Sequence, residues 1–167
     1  MQQFCTNIDQ LQDVLGRTIA IENPSTYMQT RDSDMDECDF LVEAIRRTGA
    51  SILLDINNIV VNAGNHGWSA QRYLQRIPPS QVSEMHLAGH SIETTEHGEI
   101  RIDDHGSEVS DEVWDLFRQA LYCIGKRPTL IEWDTRVPAF SVLQAQARLA
   151  RDLLCTDQQN TREPVHA

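Results

Sequence analysis

The sequence is short of positive charge, of aromatic side chains and of long apolar runs. Fourteen lysines and arginines stand against 25 aspartates and glutamates, a formal net charge of −11. Such a surface is not built to neutralise phosphates or to lie on anionic lipid, so neither nucleic acid nor membrane is an expected partner. No apolar run approaches the ~20 residues that a membrane-spanning helix needs, and the opening "MQQFCTNIDQ" has neither the basic nor the apolar region of a signal peptide. The expected compartment is the cytoplasm. The four cysteines, Cys5, Cys38, Cys123 and Cys155, form no CxxC pair, which leaves a thiolate metal site as a minor alternative only. Cys38 and Cys123 lie beside apolar neighbours in helical patterns and are expected to be buried free thiols.

What remains is ample for one globular domain: 167 residues, 40% of them hydrophobic. Four short, mostly apolar runs, "TIAIEN" (18–23), "SILLDINNI" (51–59), "VSEMHLAG" (82–89) and "TLIEWD" (129–134), lack clean alternation, as expected of parallel strands covered on both faces. Amphipathic segments separate them. In 32–49, Cys38, Leu41, Val42 and Ile45 share one helical stripe that stops at Gly49. In 110–125, Ser110 is placed to cap a helix whose buried face is Val113, Trp114, Phe117, Leu121 and Ile124. Weaker helical patterns cover 6–15, 68–76 and 139–154, the last with Phe140, Leu143, Ala147, Ala150 and Leu154 in register. The predicted order is α-β-α-β-α-β-α-β-α, an α/β fold of about four βα units. It suits either an open parallel sheet or half of a (β/α)₈ barrel, whose full length is usually ~250 residues. Residues 1–154 are expected to form this domain, and 155–167 a frayed polar tail that includes His166.

Each predicted strand ends in residues able to hold a metal: Glu22 with Asn23, Asp55 with Asn57 and Asn58, His86 with His90 nearby, and Glu132 with Asp134. In parallel α/β folds the C-terminal strand ends form the functional face, so these side chains should converge. Converging carboxylates repel one another unless a cation lies among them. Carboxylate, amide and imidazole ligands without thiolate suit iron, manganese or a similar divalent ion better than structural zinc. The long connection 90–109 adds Asp103 and His105, which an extended backbone would turn to the same side. Each residue also has a plainer reading. Asp55 or Glu22 alone could cap a helix, His86 could be a hydrogen-bonded core histidine, and His90 could brace a loop. His66, in "NAGNHGW", could be a substrate contact or a turn residue, and His97 a solvated loop residue. Those readings must hold independently at all four strands to displace the metal reading.

The segments "IENPSTY", "LLDINNIVVNAGNHG", "EMHLAGHS", "DDHGSEVSDEVW" and "TLIEWD", in this order over about residues 5–153, resemble the multinuclear non-haem iron-dependent oxidative enzymes. That family includes the iron-binding subunit of methanobactin biosynthesis. The resemblance implies a TIM barrel that holds two or three iron ions at its C-terminal face. It implies use of O2 to modify cysteine or other residues of a ribosomally made precursor peptide, often with a small partner protein that recognises the leader. Residue by residue, it implies Glu22 as a bridging carboxylate, Asp55, Asn58, His86, Asp103, His105 and Glu132 as ligands, and His90 behind them. The family's barrel has an N-terminal half with further histidine ligands, which the present sequence lacks. The expectations are therefore an incomplete iron site and a half-barrel that forms a homo-oligomer or pairs with a missing half. The competing functions are a sugar-isomerase-like or endonuclease-like metal-dependent barrel and a non-catalytic half-barrel.

Overall fold

A computed structural model describes residues 1–29 and 32–156. In chain order the elements are α1 (Gln2–Leu15), β1 (Ala20–Glu22), α2 (Glu37–Thr48), β2 (Ser51–Asp55), α3 (Ile56–His66), α4 (Ala70–Arg76), a short 3₁₀ turn (Pro79–Gln81), β3 (Val82–Leu87), β4 (Ser91–Thr95), β5 (Gly98–Ile102), α5 (Asp111–Ile124), β6 (Thr129–Ile131) and α6 (Phe140–Thr156). The helix ends follow local chemistry. Asp36 accepts from the Asp39 N–H at the start of α2, Arg46 and Arg47 lie in its last turn, and Gly49 closes it at φ 68°. The Ser110 hydroxyl accepts from the Val113 N–H at the start of α5, whose five predicted core residues are all buried.

Strands β1, β2, β3 and β6 form one parallel sheet in that order. Their pairings put Glu22 opposite Leu53, Asp55 opposite His86, and Leu87 opposite Ile131. Strand order follows chain order, as along one arc of a (β/α)₈ barrel. The core lies between this sheet and its helices: Ile52, Leu54, Met85 and Leu87 are fully buried against Ile45, Ile59, Val113 and Phe117.

Three expectations need correction. The run 51–59 is not one strand, since β2 stops at Asp55 and Asn57 and Asn58 lie in the first turn of α3. Asp55 caps that helix by accepting from the Asn58 N–H at 2.7 Å, and an apolar run in a βα unit cannot show by periodicity where a buried strand gives way to a buried helix. The connection 90–109 is no open loop, because 91–102 pair with each other as an antiparallel hairpin. Cys123 is exposed while Cys5 and Cys38 are buried. Cys123 lies on the solvent side of α5 beside Tyr122, a neighbour in sequence but not in packing. Of the predicted tail, Cys155 and Thr156 belong to α6, and 157–167 lie outside the described residues. No helix among the described residues is long and apolar enough to cross a membrane.

Candidate metal centre

The site begins with how β1 and β2 end. Asn23, fully buried, replaces a ladder partner with its side-chain amide: Nδ2 donates to the Asp55 carbonyl at 2.9 Å and Oδ1 accepts from the Asp55 N–H at 2.8 Å. This pair of hydrogen bonds fixes Asp55 directly beside the end of β1, where Glu22 projects. The Glu132 N–H donates to the Leu87 carbonyl at 2.9 Å, which extends the β3–β6 pairing one residue past β6 and turns Glu132 toward His86. Four strand ends thereby present one ligand atom each, from Glu22, Asp55, His86 and Glu132, all within 4.8 Å of one another. His105, Glu132 and Asp134 form a second such group, so Glu132 belongs to both.

Asp103 lies outside both groups but against one of them. Its Oδ1 is 2.7 Å from His105 Nε2 and accepts from Asn57 Nδ2 at 2.7 Å. The pairing does not arise from an extended backbone as expected, since His105 has φ 43°, a left-handed conformation that folds its ring back over Asp103. Asn57, buried, links two predicted residues, because its Oδ1 lies 2.8 Å from His90 Nδ1. His90 therefore stands behind the site. His66 does not reach it: its Nε2 lies 2.8 Å from both the hydroxyl and the carbonyl of Thr26, and its ring packs on Trp68. It braces the segment after β1. Asp134, noted as a strand-end acid but not counted with the ligands, belongs to the second group, and its position two residues after Glu132 was the available signal.

The electrostatics are those of a site with too much negative charge. Burial raises the Glu22 and Asp55 carboxyls above the ordinary range, and neighbouring carboxylates push the same way: Glu132 and Asp103 on Glu22, Asp103 and Glu22 on Asp55. Asp103 goes the other way. Burial is the largest influence and opposes its charge, but the His105 contact together with hydrogen bonds from Ser25 and Asn57 outweighs it, and Asp103 in turn holds His105 above the usual imidazole range. At the ends of β1 and β2 two buried acceptors have no donor among the described residues: Asp55 Oδ2, and Asn58 Oδ1, whose Nδ2 is committed to the Asn23 carbonyl. Buried acceptors without donors are costly unless a cation meets them. Oxygen and imidazole donors suit a borderline-to-hard divalent metal, and a cation among Glu22, Asp55, His86 and Glu132 would offset the carboxylate repulsion and meet the Asp55 oxygen.

A family model described as RiPP precursor modification enzyme MbnB/TglH/ChrH matches residues 1–155. The chain belongs to that family. Among its relatives, the UPF0276 protein of Paraburkholderia phytofirmans is 43% identical over 166 residues, which cover 99% of this chain and 54% of that protein. A UPF0276 protein of Vibrio vulnificus strain YJ016 is 47% identical over 154 residues, covering 92% and 53%. The chain thus spans about half the length of the curated relatives it matches. A solved xylose isomerase domain protein from Alicyclobacillus acidocaldarius superposes with a TM-score of 0.51 at 17% identity, over 92% of this chain and 58% of that one. That likeness shows the fold: about four βα units of a (β/α)₈-type barrel.

Proposed function

We propose that this chain supplies iron ligands at the C-terminal face of an enzyme that modifies a ribosomally made precursor peptide, with O2 as oxidant. The observation that carries the reading is Glu132, shared between two convergent ligand groups, with the donorless Asp55 Oδ2 in one of them. A carboxylate placed in both groups would serve as a ligand in either. Bound iron would supply the electron transfer to dioxygen that no side chain here can perform. The protein's part is to hold charge in place. Glu22, Asp55, Asn58, His86 and Glu132 would surround one ion and His105, Glu132 and Asp134 another, with Asp103 bracing His105. Asn57 fixes both Asp103 and His90 from behind.

The precursor peptide, with a cysteine or another modifiable residue, is the proposed substrate, and a small leader-recognising protein the proposed partner. Closure of the sheet by another half-barrel is the proposed assembly, because β1 and β6 are its edges.

Metal analysis of protein prepared with Fe(II) without oxygen is the test. About two iron ions per chain support the reading. A folded protein that takes up no iron would sink it in favour of a non-catalytic half-barrel. Preference for Mg(II) or Mn(II) with sugar turnover would favour the sugar-isomerase-like alternative, and metal-dependent nucleic-acid cleavage the endonuclease-like one.

A further inference from the structure

Only two non-glycine residues among those described have positive φ: His105 at 43° and Arg136 at 49°. They are thirty-one positions apart in sequence, and hydrogen bonds tie the two segments that carry them to each other. The Arg136 guanidinium donates to Asp104 Oδ2 at 2.5 Å, and the Thr135 hydroxyl donates to the Asp104 carbonyl at 2.8 Å. The His105 carbonyl accepts from two backbone N–H groups of the other loop, Asp134 at 2.9 Å and Thr135 at 3.3 Å. Gly106 completes the contact, since a Cβ there would overlap the Thr135 hydroxyl and the Arg136 guanidinium. The segment after β5 and the segment after β6 are therefore clasped, and the clasp holds both unfavourable backbone conformations. Its product is a fixed imidazole: His105 Nε2 is held 2.7 Å from Asp103, and Nδ1 3.2 Å from Asp134 and 3.7 Å from Glu132.

We infer that Asp104, Arg136 and Gly106 are positioning residues that build the His105–Glu132–Asp134 group, and that this group can be dismantled without disturbing the group at the four strand ends. The inference rests on the metal reading above and adds an inequality between the two groups. Glu22, Asp55, His86 and Glu132 are set by adjacent parallel strands and by the Asn23 and Leu87 backbone bonds. His105 and Asp134 are set by loops that this clasp joins to one another, through an arginine whose side chain is itself 65% exposed. Among the described residues Asp104 pairs with no other side-chain cation, and its Oδ1 is buried without a partner, so loss of Arg136 leaves the carboxylate unmet and the loop free to relax.

The test compares the whole chain with Arg136→Ala, Arg136→Lys and Gly106→Ala by anaerobic Fe(II) titration and by amide hydrogen exchange at Asp134 and Thr135, whose N–H groups the clasp protects. In Arg136→Ala the second ion should bind at least about tenfold more weakly while the first is unchanged, as for other groups that orient metal ligands. Protection at both amides should fall, the melting temperature should hold, and Arg136→Lys should recover most of the loss. Gly106→Ala should behave as Arg136→Ala. Equal weakening of both ions, or two ions bound as in the unaltered chain with amide protection intact, overturns the inference. If the unaltered chain takes up no iron, the metal reading fails, and the exchange data alone decide the clasp: retained protection in Arg136→Ala refutes it and lost protection upholds it.

Discussion

Glu132 Oε2 lies 2.9 Å from His86 Nδ1, a contact that joins the residue just past β6 to the middle of the sheet. The same oxygen is 3.7 Å from His105 Nδ1. One carboxylate oxygen thus stands between an imidazole carried by a strand and one carried by a loop. The two candidate metal groups meet at this atom.

Replacing Glu132 should therefore cost both groups at once. Glu132→Ala is expected to reduce iron from about two per chain to well under one, with at least tenfold weaker residual binding. The fold should survive, because the side chain is partly exposed and its bonded partner is a histidine of the site; a change in unfolding free energy of about 1 kcal/mol or less is expected. Metal analysis together with denaturant unfolding checks both halves of the statement.

Asp55→Asn separates the residue's two duties. The amide retains an oxygen to accept the Asn58 N–H, so the cap on α3 persists, while the buried negative charge is removed. The Asp55 carboxyl is raised in the folded protein, so metal-free wild type binds more protons folded than unfolded and loses stability as pH climbs above the ordinary carboxylate range. At pH 8 in chelator the variant is expected to be at least as stable as wild type, and with iron present less stable. Equal sensitivity of both proteins to added iron would contradict the assignment.

Glu37, at the start of α2, carries a pH dependence unrelated to the metal. Burial lifts its carboxyl to about 7, against the hydrogen bond from Tyr73, and its Oε2 has no partner. The folded state holds this proton more tightly than the unfolded chain, whose value is 4.5. Stability is therefore full below that lower value and declines as pH rises toward 7. The loss across the window is about 2 kcal/mol, allowing for partial exposure of the group. Glu37→Gln should flatten this part of the profile, which chemical denaturation between pH 4.5 and 8 would show.

The apolar stripe predicted for α6 is real but mostly uncovered: of Phe140, Leu143, Ala147, Ala150 and Leu154 only Ala150 is buried, and Phe140 is 76% exposed. With β6 these residues line an open groove of about 400 Å³. At the opposite edge of the sheet, Val14 on α1 is 83% exposed, next to Leu11 and Leu15. Two apolar patches flanking two free sheet edges should drive self-association of this 167-residue chain. Light scattering is expected to find at least a dimer, and Val14→Glu with Phe140→Glu to shift it toward monomer. A wild-type monomer at tens of micromolar would refute this.

Much of the architecture was legible because its causes are local. The capping residue Ser110, the terminating Gly49 and the apolar face of α5 each act within a few residues of themselves, and the structure places all three as read. The boundary inside 51–59 was not legible, because strand and helix are both buried there and both apolar. Asp55 shows the limit from another side: read as either cap or ligand, it caps α3 with one oxygen and turns the other, unpartnered, toward the site.

The sequence by itself determined the βα alternation, the class of residues at each strand end and their family, since residue type and spacing are enough for periodicity, capping and motif. The tertiary structure alone decided which of those residues meet. Glu22, Asp55, His86 and Glu132 come from strands whose neighbours and register are set by hydrogen bonds across tens of residues, and the left-handed turn at His105 exists because a loop 29 to 31 residues later holds it. The same long-range pairing left His66 with Thr26 and gave Asp134 a place beside His105. Spacing along a chain carries no record of such contacts, because they depend on where the sheet brings each strand to its end.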